Sequence, residues 1–159
     1  MKTVIVYSGK YGSTQRIAEM LKSKLGQNTD LIDLTSEKKP DISSYDRIII
    51  GSGIYAGQIR RQVRTFCRKN LELLKTKNIA FFLCCMENKP DEISSYFKKN
   101  FPESLLTIAK AYRRFPGALV RQQKENFMVR SMFDTMEKTN KERNEPVEQW
   151  VQEFSDALS

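Results

Sequence analysis

The chain contains no histidine. That one absence removes Ser-His-Asp and Cys-His nucleophilic catalysis, H-E-x-x-H metal sites and imidazole proton shuttles, so hydrolase chemistry is not expected. Cysteine is scarce as well. The three present, Cys67, Cys84 and Cys85, form no C-x-x-C pair, and adjacent Cys84 and Cys85 would close a strained ring if bridged, so free thiols in a reducing compartment are expected. No apolar run approaches the eighteen or so residues of a membrane span, and the first residues carry no signal-peptide pattern. A soluble, intracellular protein is expected. Acid is in short supply too: 27 Lys and Arg against 19 Asp and Glu give a net charge of +8 and a pI near 9.4. Such a balance points to an anionic partner, whether a nucleic acid, a membrane surface or an acidic small molecule.

What is present reads as one domain over residues 1–159, since 159 residues with 40% hydrophobic content suit one sizeable core. Short apolar runs alternate with amphipathic stretches. Strands are expected at 3–7, 31–34, 47–50, 79–85 and 105–111, and helices at 13–25, 59–74, 91–100 and near 147–158. This is the rhythm of a parallel sheet covered on both faces, an α/β fold. The helices show their spacing in Ile17, Leu21 and Leu25, and in Val63, Phe66, Cys67, Leu71 and Leu74. Residues 112–143 break the alternation. They make an insertion before the last helix, in which Met128, Val129, Met132, Phe133 and Met136 recur at helical spacing with Lys124, Arg130 and Lys138 around them. That inserted helix is either a satellite packed on the body or a Met-rich, basic-flanked surface for a partner or a membrane. Basic residues also crowd Arg60 to Lys77, where seven cations meet one acid, Glu72. A solvated helix face and an anion-binding face remain open there.

In an open parallel sheet, ligands bind beyond the carboxyl ends of the strands at the point where strand order reverses. The loops after the first, third and fourth strands therefore matter most. The first, Ser8, Gly9, Lys10, Tyr11, Gly12, Ser13 and Thr14, brings hydroxyls and backbone N–H groups to a helix N-terminus and suits a phosphate. It lacks the Gly-Lys-Ser/Thr of a Walker A loop. A simple helix cap by Ser13 is the alternative. The second, Gly51-Ser52-Gly53-Ile54-Tyr55-Ala56-Gly57, formally matches G-x-G-x-x-G/A but follows the wrong strand and lacks the acid that fingerprint needs, so its glycines are expected to admit a flat ring beside Tyr55. The third runs from Cys84 through Cys85, Met86, Glu87, Asn88 and Lys89 to Pro90. Together the loops describe a site for a phosphorylated flat heterocycle.

These residues resemble the flavodoxin-like family: SGKYGSTQRIA resembles its FMN phosphate loop. The resemblance spans nearly the whole chain and implies a three-layer sandwich with a five-stranded parallel sheet in the order 2-1-3-4-5 and FMN at the switch point. It implies phosphate binding by Ser8 to Thr14, and an isoalloxazine bordered by Ser52 to Gly57 on one side and by Cys84 to Lys89 on the other. The longer first loop, the run GSGIYAGQIRRQVRTF, the insertion with ENFMVRSMF, and Trp150 are most similar to the menaquinone-dependent protoporphyrinogen dehydrogenase branch, which belongs to heme biosynthesis. The insertion departs from that branch in keeping only Tyr112-Arg113-Arg114-Phe115-Pro116 of its Y-x-R-Y run.

The resemblance implies an FMN-dependent redox protein, with a quinone or a protein as redox partner and an anionic porphyrinogen as a possible substrate. Arg113, Arg114, Arg121 and Arg130 are the candidates for substrate or lipid contact, and a cytoplasmic protein with peripheral contact at the inner membrane face is expected. A Gly53 or Gly57 carbonyl is a candidate partner for the flavin N5. No side chain is assigned as a general base, and no metal site is expected. Flavodoxin-type electron carriers are acidic, so the +8 charge speaks against that alternative. No nucleic-acid partner is expected, although charge alone leaves a basic nucleic-acid-binding domain as a rival, one that would be colourless and bind with steep salt dependence.

Overall fold

The computed structural model describes residues 1–118, 120 and 126–159. Five parallel strands form its sheet: β1 (Thr3–Ser8), β2 (Thr29–Asp33), β3 (Arg47–Tyr55), β5 (Asn78–Cys85) and β6 (Ala111–Pro116). Their spatial order is β2-β1-β3-β5-β6, which is 2-1-3-4-5 when the parallel strands are counted alone. The extra strand, β4 (Gln58–Ile59), turns back antiparallel on β3. Between and after the strands run α1 (Ser13–Leu25), α2 (Arg61–Lys69), α3 (Leu71–Leu74), α4 (Pro90–Asn100), α5 (Glu103–Ile108), α6 (Phe127–Arg143) and α7 (Val147–Ala157).

Successive side chains of a strand point to opposite faces, and here both faces are covered. Val4, Val6, Ile48, Ile50, Ile79, Phe81 and Leu83 pack against Val63, Phe66, Phe97 and Leu105 of the helices on one side. Ile5, Tyr7, Ile49, Phe82 and Cys84 meet Ile17, Leu21, Val151 and Phe154 of α1 and α7 on the other. This two-sided burial explains why β1 and β5 read as unbroken apolar runs.

Three expectations need correction. Residues 105–108 are helical, within α5, and the last strand is 111–116. Leu105 is buried while Leu106 and Ile108 are not, and the strand register is carried instead by Phe115 beside Cys84. The insertion therefore starts after Pro116, not at 112, and Tyr112, Arg113 and Arg114 belong to the sheet. The helix expected over 59–74 is two helices with a break at Asn70, whose side chain donates to the Phe66 carbonyl at 2.9 Å. No helix among the described residues is long and apolar enough to cross a membrane.

Candidate flavin site

A cavity of about 300 Å³ opens beyond the carboxyl ends of β1, β3 and β5. Nine of the residues expected to hold a cofactor line it: Tyr11, Ser13, Thr14, Gly53, Ile54, Tyr55, Ala56, Cys85 and Met86. Cys84 lines it as well, together with Gly117, Ala118, Met132 and Met136.

The floor is the turn from β1 into α1. Gly12, at φ 91°, is the helix N-cap, so Ser13 is a first-turn residue and not the cap. No acid occupies that first turn, and Ser13 and Thr14 are both buried. The amide donors at the start of a 13-residue helix thus lie beside two buried hydroxyl residues with no acid in the first turn, which favours an anion. Ser8, expected to bind the phosphate, does not line the cavity. It is fully buried, with its hydroxyl 3.1 Å from that of Thr35. The Lys10 amide donates to the Tyr55 phenol oxygen at 2.7 Å, so a phosphate arriving at that amide competes with Tyr55.

The second wall is longer than a loop. β3 continues to Tyr55 and returns through a hairpin whose central residues, Ala56 and Gly57, both have positive φ (51° and 75°), the geometry of a type I′ turn. Asn100 of α4 pins this hairpin by accepting from the Ile59 amide at 3.1 Å and donating to the Gly57 carbonyl at 3.0 Å. Ser52 looks away from the cavity: its hydroxyl accepts from the Arg60 amide at 2.9 Å and donates to the Gly53 carbonyl at 2.8 Å. Both carbonyls considered for a flavin contact therefore already accept a bond in this arrangement. At Gly53 a Cβ would stand 2.6 Å from the Tyr55 hydroxyl, so the glycine is what lets the phenol lie across this wall. Burial raises the Tyr55 phenol above its ordinary value. The Arg60 guanidinium stacks 5.6 Å from that ring centroid, and its buried Nε has no acceptor among the described residues.

Only the start of the third loop faces the cavity. The Glu87 carboxylate accepts from the amides of Asn88 and Lys89, both at 2.9 Å, and these bonds, the Lys89 amide foremost, hold it below the usual carboxylate range. Glu87, Asn88 and Lys89 are turned outward, with Asn88 lining a different cleft. Burial pushes the thiols of Cys84 and Cys85 up, which keeps both neutral.

The roof is α6. Met132 and Met136 line the cavity, and buried Phe133 meets the Tyr11 ring edge-on at 5.5 Å. The inserted helix is thus a cover for the site. Its methionines stood out in the sequence, but helical spacing alone does not say which way they face. Sequence reasoning also missed Asn100 and Gly117, whose roles depend on contacts between distant segments. The four arginines separate. Arg114 is buried, ion-paired to Glu145 at 2.6 Å, and doubly donates to the Cys85 carbonyl, so it is committed to the interior and does not present a free surface cation. Arg113 pairs with Glu153 at 2.7 Å. Arg130 is exposed on α6, and Arg121 lies outside the described residues.

A family model described as a flavodoxin domain matches residues 4–146. The chain belongs to the flavodoxin family. Among curated proteins it is similar to protoporphyrinogen IX dehydrogenase [quinone] of Escherichia coli strain K12, with 29% identity over 127 residues, covering 71% of this chain and 70% of that protein. Among solved structures it is similar to oxidised flavodoxin 2 from Bacillus cereus (TM-score 0.59, 19% identity, 99% of this chain and 97% of that one). It is also similar to a Lactobacillus acidophilus flavoprotein in complex with FMN (TM-score 0.51, 17% identity, 71% and 92%). FMN, the family's cofactor, fits the residues present: an acid-free helix start with buried hydroxyls for the phosphate, and a wall of Gly53, Ile54, Tyr55 and Ala56 for the ring. Among the described residues no cluster is suited to a metal ion.

Proposed function

We propose that this flavodoxin-family protein is an FMN-dependent oxidoreductase that oxidises a protoporphyrinogen-type substrate and delivers the electrons to a quinone. The observation that carries this reading is the roof. An electron carrier needs its ring edge bare for a protein partner, whereas here Met132 and Met136 cover the cavity and form an adaptable apolar surface for a large apolar ring. The similarity to the Escherichia coli dehydrogenase supports the same assignment.

Ser8 to Thr14 bind the phosphate, and the hydroxyls of Ser13 and Thr14 act as donors beside the helix amides. Gly53, Ile54, Tyr55 and Ala56 hold one side of the ring, and Cys84, Cys85 and Met86 the other. Bound FMN supplies hydride and electron transfer, while the protein orients it and excludes water. Substrate anions and an anionic membrane surface are met by the protein's positive charge, with Arg113 and Arg130 as contacts, and quinone access favours peripheral attachment at the inner membrane face of the cytoplasm.

A carrier shuttling electrons between proteins is the second reading, favoured by end-to-end correspondence with the Bacillus cereus flavodoxin. Anaerobic turnover separates them. FMN-loaded protein should oxidise protoporphyrinogen IX, seen as porphyrin fluorescence, and be reoxidised by menaquinone faster than by a ferredoxin. Rapid exchange with ferredoxin and none with menaquinone would assign the carrier role, and a well-folded sample that binds no FMN would overturn both.

A further inference from the structure

A second cavity, of about 800 Å³, lies across the third loop from the flavin cavity, against the outer edge of β6 between α4 and α7. Two of its walls are aromatic. Tyr112, 53% exposed, packs 5.0 Å from Phe97, and Trp150 on the opposite side carries the Arg113 guanidinium 5.1 Å above its ring. Three guanidiniums line it, those of Arg113, Arg114 and Arg143, against one carboxylate, Glu145, which Arg114 already neutralises. Besides its stacking on Trp150, Arg113 makes an exposed ion pair to Glu153 and a long 3.5 Å bond to the Trp150 carbonyl, and both exchange readily for a ligand anion. Flat apolar faces beside an available guanidinium match a flat conjugated ring that bears carboxylates.

We propose that this cleft binds a planar aromatic carboxylate of the tetrapyrrole class, stacked between Tyr112 and Trp150 with a carboxylate on Arg113. The choice of tetrapyrrole rests on the oxidoreductase reading above. Among the described residues none lines both the cleft and the flavin cavity, so the cleft is a holding site for the planar, oxidised product and not the place of oxidation. It touches the flavin wall nonetheless, because Arg114 and Arg143 of the cleft donate to the carbonyls of Cys85 and Met86.

Trp150 is the only tryptophan in the chain, so its emission reports on this cleft directly. Mesoporphyrin IX titrated into FMN-loaded protein should quench it saturably at one equivalent. The dissociation constant should rise about tenfold in Arg113→Gln, and by a similar factor in Tyr112→Ser, a change at an exposed ring that spares the core. A porphyrin with esterified carboxylates should bind about tenfold more weakly. Quenching without saturation, equal affinity for the ester, or unchanged affinity in both variants would overturn the assignment. The two readings fail separately. Protoporphyrinogen oxidation with porphyrin affinity insensitive to both variants removes the holding site alone, while variant-sensitive binding without oxidation removes the proposed activity and leaves the cleft.

Discussion

The flavin cavity and the edge cleft lie on opposite sides of one loop and are built from different material. The cavity uses short side chains and backbone: Gly53, Ser13, Thr14 and the amides that begin α1, with apolar Met132 and Met136 above. The cleft uses long side chains reaching from four elements, α4, β6, α6 and α7, with two of its arginines in ion pairs. A site made of backbone is fixed as soon as its strand and helix form, whereas a site made of arginines is fixed only when distant segments meet. The two should therefore break differently under mutation.

The largest effect is expected on the cleft side. Arg114→Met strands the Glu145 carboxylate, whose side chain is 12% exposed, and removes two of the three donors to the Cys85 carbonyl, leaving the Gly117 amide. A loss of about 3–5 kcal/mol is expected, as for other broken buried pairs. Replacing both residues, Arg114→Met with Glu145→Met, should recover at least half of it. Urea denaturation of the two variants measures this, and a double variant no better than the single would show that the pair's charges are not what holds the cleft.

The cavity side should lose binding and keep its stability. Replacing Ser13 and Thr14 together with alanine removes two hydroxyls at the helix start, each worth about 1.5–3 kcal/mol toward a charged phosphate. FMN affinity should fall by about a hundredfold or more, read by flavin fluorescence on titration, with the urea midpoint of the FMN-free protein nearly unchanged. An unchanged affinity would place the phosphate elsewhere.

The same division governs what the sequence discloses. The central strands and the positions of the loops that follow them were legible because each is local: a hydrophobic run followed by small residues and an amphipathic helix reads the same in any context, whereas the sheet order came only with the family resemblance. The last strand was misplaced because Leu105 to Ala111 is as apolar as a strand, and only the pairing of Phe115 beside Cys84 decides where the sheet takes its partner. The roof was half legible. Met132, Phe133 and Met136 were visible as a helical face, but the docking of that face depends on Tyr11, more than a hundred residues earlier. Arg114 was visible as a charge and taken as a candidate for substrate or lipid contact, since nothing in the sequence ties it to Glu145, its ion-pair partner.

Alkaline pH should act through the neutral buried thiols and not through the cleft. Burial pushes Cys67 up to about 12 from an ordinary 9.0 and raises Cys84 as well. The folded state keeps these protons while the unfolded chain releases them, so the stabilisation is complete below about pH 9 and is lost as pH rises toward 12. Each thiol should cost about 1.4 kcal/mol per pH unit within that window, or about 2 kcal/mol by pH 10.5. Urea midpoints measured from pH 8 to 10.5 should fall less steeply in Cys67→Ala than in the parent protein, and parallel slopes would rule out this thiol as a source.

The smallest effect concerns how firmly the roof is seated. The Asn126 side chain accepts from the Val129 amide at 2.9 Å and is the only side-chain cap found at a helix start among the described helices. Its removal in Asn126→Ala should cost about 1 kcal/mol. Because Phe133 and the Asn140 bond to the Gly117 carbonyl anchor α6 further along, that cost should appear as fraying of the first turn and not as release of the helix. Amide exchange should quicken at Val129 and Arg130 and stay slow at Phe133 and Met136, with FMN affinity within about twofold of the parent. Fast exchange along the whole of α6 would mean that the cap, and not Phe133 against Tyr11, seats the roof.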